Sequence, residues 1–191
     1  MQSSIGDKSN QGKKMLMSAG LKIIVVTGPE SSGKSFLTNL LAEKFQLPMV
    51  SEYAREYIDG LERAYVEADL EVIANGQYKK LEAIDRLGKS WAIMDTDMLT
   101  IKIWGLEKYG QYPEILDVLA NQFPVTHYLC CKPDIPWEYD PQREHSNDRE
   151  RLFHKYLKEL ETNNFPFTVI QGDYSQRISS SIKIVEQLIQ T

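Results

Sequence analysis

Cysteine is scarce in this chain of 191 residues, which has only Cys130 and Cys131. Adjacent residues of a strand point to opposite faces of a sheet, so this pair offers no disulfide framework and fits a reducing compartment. No apolar run is long enough to span a bilayer, and the N-terminal region lacks the compact apolar stretch of a signal peptide. These absences predict a cytoplasmic protein without a membrane partner.

Positive charge is not in excess either. The chain has 22 Lys and Arg against 27 Asp and Glu, a net charge of −5. Proteins that bind nucleic acid or anionic membranes usually carry a basic surface, so nucleic acid is not expected as a partner. An anionic small molecule must therefore be held by a local site. The oligomeric state stays open, a homo-oligomer included.

The remaining pattern is one of alternating strands and helices. Residues 1–20 are polar and rich in Ser, Gly, Gln and Lys, which is typical of a disordered leader. Residues 21–191 are predicted to form one α/β domain that is a three-layer sandwich. Its sheet has about five parallel strands, with helices on both faces. Predicted strands lie at 21–27, near 50, and at 91–95, 125–131 and 167–170, and predicted helices lie at 33–45, 69–87, 99–109, 113–121, 148–161 and near the C-terminus.

A phosphate-binding loop follows the first strand. Residues 28–35, GPESSGKS, match G-x-x-x-x-G-K-[ST] at every fixed position. In such a loop the backbone N–H groups and the start of the next helix face the phosphates, the lysine reaches the β- and γ-phosphates, and the hydroxyl contacts Mg²⁺. The motif predicts that ATP binds here. The expected nucleotide-binding residues are Gly28, Glu30, Ser31, Ser32, Gly33, Lys34, Ser35 and Phe36.

A carboxylate for the magnesium ion is expected at the end of the third strand. Asp95 stands there, and with Ser35 it is predicted to hold Mg²⁺. The alternative is that Asp95 is only a turn residue. GTP switches have a glycine three residues after this acid, where the chain has Met98, so ATP is the expected nucleotide.

A candidate acceptor site follows the second strand. Glu52 occupies the position at which small-molecule kinases place a carboxylate facing the γ-phosphate, where it accepts the proton of the attacking hydroxyl. Arg55 lies on the same side if a helix has begun there. The alternative for Glu52 is a solvated residue at the start of a helix.

The segment 132–148 interrupts the alternation and contains three prolines and several acids. A long irregular segment in a small domain is usually a lid or a binding loop. Transfer of a phosphoryl group needs positive charge over its oxygens, and a closing lid commonly supplies it. Arg143 and Arg149 are the predicted lid cations.

Together these segments resemble one family. The phosphate loop, Glu52-Tyr-Ala-Arg-Glu-Tyr57, Asp95-Thr-Asp97 and the lid over 132–151 resemble the ribosylnicotinamide kinase domain of bacterial NadR-type proteins and related P-loop AAA-type ATPases. The resemblance runs from residue 21 to the end. It implies transfer of the ATP γ-phosphate to the 5′-hydroxyl of nicotinamide riboside, a step of NAD biosynthesis. Some members have a tryptophan directly before the E-Y, where this chain has Ser51.

The substrate side of the site is predicted from position. Glu52 is expected to take the acceptor proton, Asp97 to hold the ribose and Arg55 to hold the phosphate in transit, with Asp97 as the alternative base. Gln77 lies on an apolar helical stripe, where a polar amide needs a partner, either backbone or ligand. The expected substrate-binding residues are Glu52, Tyr53, Arg55, Gln77, Asp97 and Trp104, and the expected catalytic residues are Glu52, Lys34, Asp95, Arg143 and Arg149.

A second class of function stays open at this stage. A P-loop protein with a movable loop also fits a regulatory ATPase or a nucleotide-dependent binding protein, in which ATP moves a partner surface. Measuring ATP consumption with and without nucleosides separates that class from a kinase.

We predict that Lys34→Ala removes most of the affinity for ATP and all phosphate transfer. The ammonium group is the cation that the motif aims at the phosphates, and the folded state should not depend on it. Isothermal titration calorimetry with ATP measures the loss, with circular dichroism to check the fold. Equal affinity in the variant would refute the assignment of the loop.

Overall fold

A parallel sheet lies at the centre of the structure, a computed structural model that describes residues 20–123, 125–143 and 147–190. The strand order is β2-β3-β1-β4-β5. The strands are β1 (Lys22–Thr27), β2 (Met49–Val50), β3 (Trp91–Asp95), β4 (Val125–Cys131) and β5 (Phe167–Ile170). The five parallel strands confirm the predicted sheet. The predicted disordered leader, 1–20, lies outside the described residues except for its last residue.

Helices cover both faces of this sheet. They are α1 (Lys34–Phe45), α2 (Tyr53–Asp59), α3 (Glu67–Asp85), α4 (Met98–Tyr109), α5 (Ile115–Ala120), α6 (Arg149–Thr162) and α7 (Tyr174–Ile189). Alternate side chains of β1 enter two separate cores: Ile23 packs with residues of α3 to α6, and Ile24 packs with residues of α1 and α7. This arrangement confirms the three-layer sandwich. None of the helices in the described ranges has the length and apolar character needed to cross a membrane.

The helices differ from the prediction in several places. Helix α2 was foreseen only as a helix start, and α3 begins and ends two residues earlier than expected. Phe36, expected on the apolar face of α1, is 49% exposed, so that expectation is wrong. The buried face of α1 is formed by Leu37, Thr38 and Leu41. Phe36 instead packs edge-to-face against Tyr174 and lines a cleft.

The sheet brings the motifs together at one edge. β1 pairs with β3 so that Val26 lies opposite Asp95, and with β4 so that Thr27 lies opposite Cys130. The carboxyl ends of parallel strands lie at the same edge, which is where doubly wound proteins bind ligands. The phosphate loop, Asp95, the segment after β2 and the loop after β4 therefore surround one space.

Gly28 fixes how closely the phosphate loop approaches β4. Its φ is +132°, and a Cβ atom built there would lie 2.5 Å from the carbonyl oxygen of Cys131. A side chain is therefore excluded by both conformation and space. The tight turn depends on the missing side chain, and it directs the loop over the end of the sheet.

We predict that Gly28→Ala lowers the free energy of unfolding by about 2–5 kcal/mol, because backbone strain and collision with the Cys131 carbonyl add up. The matched control is Gly88→Ala. Gly88 also has a positive φ, +64°, but no atom lies within 4 Å of the added Cβ. It should lose only about 1–2 kcal/mol. Urea denaturation of both variants measures the difference, and equal losses would contradict the steric argument.

Candidate active site

The phosphate loop has the geometry of an anion cradle. Ser31 and Gly33 adopt left-handed backbone conformations, with φ of 52° and 81°, which turns successive N–H groups toward a common centre. Helix α1 begins at Lys34, directly after Gly33. Lys34 Nζ and Ser32 Oγ both donate hydrogen bonds to the Pro29 carbonyl, at 2.7 Å each. The loop therefore holds its curved shape through its own side chains.

A buried arginine, which no local sequence motif reveals, hydrogen-bonds this loop. Arg177 of α7 is 3% exposed and donates to the Ser32 carbonyl at 3.0 Å and the Gly172 carbonyl at 2.8 Å. It also bonds the Lys132 carbonyl and the Asp134 carboxylate. One guanidinium thus joins the phosphate loop to the segments after β4 and β5. The sequence signal that could have revealed it is helical spacing, since Arg177 lies four and eight residues before the buried Ser181 and Val185 of the last helix.

Asp95 and Ser35 lie together, as predicted. The Ser35 hydroxyl hydrogen-bonds the Asp95 carboxylate. Burial raises the pKa of Asp95, whereas this hydrogen bond and the positive charges of Lys34 and Arg55 lower it. Asp95 Oδ1 is buried and has no hydrogen-bond partner within the described residues. A carboxylate oxygen without a partner next to a hydroxyl is a donor set that fits Mg²⁺. Ser35 and Asp95 are therefore the residues suited to hold the metal.

Glu52 lies at the start of α2 and lines the same cleft as Lys34 and Ser35. Burial is the main cause of its raised pKa, and the negative charge of Asp95 adds to it, while Lys34 and Arg55 oppose the shift. A carboxylate that is short of water and faces a phosphate site is suited to accept a proton. The structure thus places Glu52 where the sequence expected a base.

The cleft has a volume of about 470 Å³ and extends from the phosphate loop past Glu52 toward α4. Among the predicted residues, Arg55, Trp104 and Arg143 line it together with the loop residues from Glu30 to Phe36. Sequence reasoning missed eight lining residues, which come from α2, α4, α7 and the loops. They are Ala54, Ile58, Tyr65, Lys108, Ile135, Glu138, Gln142 and Tyr174.

Arg149 does not line the cleft. Its Nη1 donates to the carbonyls of Ser31 and Ile135, at 2.9 and 3.1 Å. These contacts tie α6 to the back of the phosphate loop, so the expected role as a lid cation over the phosphates is not supported by the geometry. Arg143 does line the cleft, and its guanidinium bonds the Glu138 carbonyl and lies 5.8 Å from the Trp137 ring.

Tyr53 and Gln77 are also not lining residues of this cleft. The Tyr53 ring packs on α3, where a Cβ atom at Gly76 would lie 2.0 Å from it. Gln77 is 2% exposed, and its Oε1 accepts from the Tyr53 backbone N–H at 2.7 Å. Its amide nitrogen donates to the carbonyls of Ser51 and Thr96, at 3.4 Å each. Gln77 therefore has backbone partners, as one of the two alternatives expected, and it also lines a small pocket with Asp97 and Trp104.

Asp97 is directed into the core rather than into this cleft. It is 3% exposed, accepts from the Tyr128 hydroxyl at 2.6 Å and accepts from the Leu99 N–H at 3.2 Å as the N-cap of α4. Burial raises the pKa of this carboxyl to about 6. Asp97 also lines a small pocket together with Glu52 and Trp104, and the expected ribose contact and the alternative role as the base stay predictions. What the sequence motif provides at this position is a helix cap.

Comparison with known proteins agrees with this site. A family model described as an AAA domain matches residues 23–177. The chain belongs to this family. Its membership confirms the resemblance to P-loop AAA-type proteins that the motifs indicated.

Individual relatives narrow the comparison. The chain is 27% identical over 176 residues to the trifunctional NAD biosynthesis/regulator protein NadR of Escherichia coli (strain K12), covering 88% of this chain and 43% of that protein. A solved structure of NadR in complex with NR matches 88% of this chain and 51% of its own, with a TM-score of 0.77 and 20% identity. A NadR structure with NAD and AMP-PNP matches 88% of this chain and 49% of its own, with a TM-score of 0.73 and 18% identity. The chain therefore spans about half the length of these relatives.

We predict that Asp95→Asn stabilises the ligand-free protein but removes the stabilisation by ATP with Mg²⁺. An amide is less costly to bury than an unpartnered carboxylate, whereas the metal needs the charge. The melting temperature without ligand should rise by roughly 2–4 °C per kcal/mol gained.

The measurement is a thermal shift with and without Mg·ATP. Asp117→Asn is the matched control, because Asp117 is an exposed acid on α5 outside the cleft. The control should keep the full shift with Mg·ATP. A normal shift in Asp95→Asn, or full activity of the unmutated protein in excess chelator, would contradict the metal assignment.

Proposed function

We propose that this protein is an ATP-dependent kinase that phosphorylates the 5′-hydroxyl of nicotinamide riboside to give the mononucleotide. The observation that carries the proposal is the position of Glu52, a carboxylate in the same cleft as Lys34 and Ser35 of the phosphate loop. A binding protein that only senses ATP needs no such group facing the γ-phosphate. A phosphotransferase needs a group that orients the acceptor hydroxyl and receives its proton.

The transfer step follows from this arrangement. The acceptor 5′-oxygen forms a bond to the γ-phosphorus while the bond from that phosphorus to the β,γ-bridging oxygen breaks, and ADP leaves. Glu52 receives the hydroxyl proton. Lys34 and the loop N–H groups balance the charge on the phosphates, and Arg55 faces the phosphoryl group in transit. Magnesium held by Ser35 and Asp95 would supply further charge neutralisation and orient the phosphates.

The acceptor half of the cleft supports a nucleoside-like substrate. Trp104 and Tyr65 line it beyond Glu52 and offer aromatic surfaces next to an aqueous opening. The NadR relative whose structure contains NR shares the fold of this chain, which favours nicotinamide riboside over other nucleosides as the first substrate to test. Ser51 does not compete for this space, because its hydroxyl accepts from Lys80 on α3 at 2.8 Å.

The nucleotide half supports ATP as the phosphate donor. Phe36 and Tyr174 form an edge-to-face pair at 5.6 Å where α1 and α7 begin, and both line the cleft. They provide an apolar surface near the phosphate loop for a base. The cytoplasm is the proposed location, since Cys130 and Cys131 are free and buried, as in proteins of reducing compartments.

We predict that Glu52→Gln lowers kcat on nicotinamide riboside by about 10²–10⁴, the usual effect of removing a general base. Binding of ATP, measured by calorimetry, should change little, because Glu52 does not hold the nucleotide. The matched control is Glu56→Gln on the same helix. Glu56 is 59% exposed and pairs with Lys80, so its loss should leave kcat within about two-fold.

Two results would overturn this proposal. Near-normal kcat in Glu52→Gln would remove the base role from Glu52. Steady ATP hydrolysis without transfer to any nucleoside in a panel would favour a regulatory ATPase. Product identification by mass spectrometry, with nicotinamide riboside and common nucleosides as acceptors, distinguishes the two classes.

A further inference from the structure

The loop that follows β4 touches α2 at the edge of the cleft through two side chains. Asp140 Oδ2 accepts a hydrogen bond from Arg55 Nη1 at 2.9 Å. Gln142 donates to the Asp59 carboxylate and, at 3.4 Å, to the Arg55 carbonyl. The described part of this loop is therefore joined to the helix that carries both the proposed base and the arginine next to it.

Asp140 is fixed by its own loop. The Gln142 backbone N–H donates to Asp140 Oδ1 at 3.0 Å, so this carboxylate oxygen closes a local turn. The other oxygen, Oδ2, accepts from Arg55 and also lies 3.8 Å from Arg143 Nε. This backbone hydrogen bond, with the charge of Arg55, holds the pKa of Asp140 below its usual range, and the carboxylate is ionised at neutral pH. The Asp140 side chain is 14% exposed, whereas that of Arg55 is 48% exposed. The carboxylate is thus the fixed partner of the pair.

Arg55 needs such a partner to act on a phosphate. A long, half-exposed side chain loses rotamer freedom when it is held in one place, and misplacement of a charged group by an ångström is costly in rate. Arg55 lines the cleft, and its charge acts on both Glu52 and Asp95. The contact with Asp140 uses one nitrogen of a guanidinium that has five N–H donors.

We infer that Asp140 is a positioning residue for phosphate transfer: it holds the Arg55 guanidinium at the edge of the cleft, with N–H groups directed to the phosphoryl group in transit. Asp140 acts through Arg55, because its 2.9 Å hydrogen bond to Arg55 is shorter than its 3.8 Å ion pair with Arg143, and Asp140 itself does not line the cleft. The inference rests on the proposed function, since it requires a γ-phosphoryl group that moves past Arg55. Exposed ion pairs usually contribute little to stability, so removing this one should change the rate rather than the fold.

The test is a double-mutant cycle with Asp140→Asn, Arg55→Gln and the double variant. Asp140→Asn should lower kcat by roughly ten- to a hundred-fold while KM for ATP stays near its normal value. Arg55→Gln should lower kcat by about 10²–10³. In the Arg55→Gln background, Asp140→Asn should change kcat by less than about two-fold, because a residue that acts only through Arg55 has nothing left to position.

Asp59→Asn is the matched control, since it weakens the contact of Gln142 with α2 but leaves the Arg55–Asp140 pair intact. It should keep kcat within about two-fold. A higher kcat in Asp140→Asn would show that the pair restrains Arg55, and an equal loss in both backgrounds would show that Asp140 acts independently. Either result overturns the inference.

The same cycle separates this inference from the proposed function. If the unmutated protein transfers nothing to nicotinamide riboside, the proposed acceptor is wrong. The variants are then compared in ATP hydrolysis, in which the γ-phosphoryl group passes the same residues. Non-additive losses would still support positioning by Asp140, and additive losses would overturn it.

Discussion

The buried guanidinium of Arg177 is the interaction on which the arrangement of the site depends. It binds carbonyl oxygens from the phosphate loop and from the segments after β4 and β5, and it pairs with Asp134. The residues of these three segments that Arg177 contacts lie outside the strands and helices. Strand pairing alone therefore does not fix the distances between the segments. A guanidinium is planar and always charged, so it can donate to several fixed acceptors at once, whereas a lysine ammonium is a compact point charge. The shape of the cradle is thus set from the last helix of the fold.

The two carboxylates at the phosphate site are largely buried, and burial changes their pKa values. Burial raises the pKa values of Glu52 and Asp95, and each carboxylate is partly compensated by the charges of Lys34 and Arg55. Removing one charge therefore changes the state of its neighbours, which is typical of functional sites. The charges of these side chains are therefore arranged for a charged ligand rather than for the stability of the empty protein.

The sequence predicted the sheet closely because buried strands are short, apolar and bounded by motifs. β3 and β4 have the predicted limits, and the phosphate loop, Ser35, Asp95 and Glu52 lie as local patterns indicated. The contacts that the sequence did not reveal share one cause. Tyr53 packs next to Gly76, Gln77 bonds the Ser51 carbonyl, and Asp97 bonds the Tyr128 hydroxyl. Each partner lies on another element, and spacing along a chain does not reveal such pairs. Arg177 and the acceptor end of the cleft were missed for the same reason.

The helix cap formed by Asp97 has a consequence for how this fold diversifies. Two carboxylates of one short motif have separate tasks: Asp95 faces the phosphate site, and Asp97 anchors the helix that presents Trp104 to the other half of the cleft. The donor and acceptor halves are therefore held in register by the end of a single strand, while their lining residues belong to different elements. Exposed positions of α4 near Trp104 can therefore vary without contact to the phosphate loop.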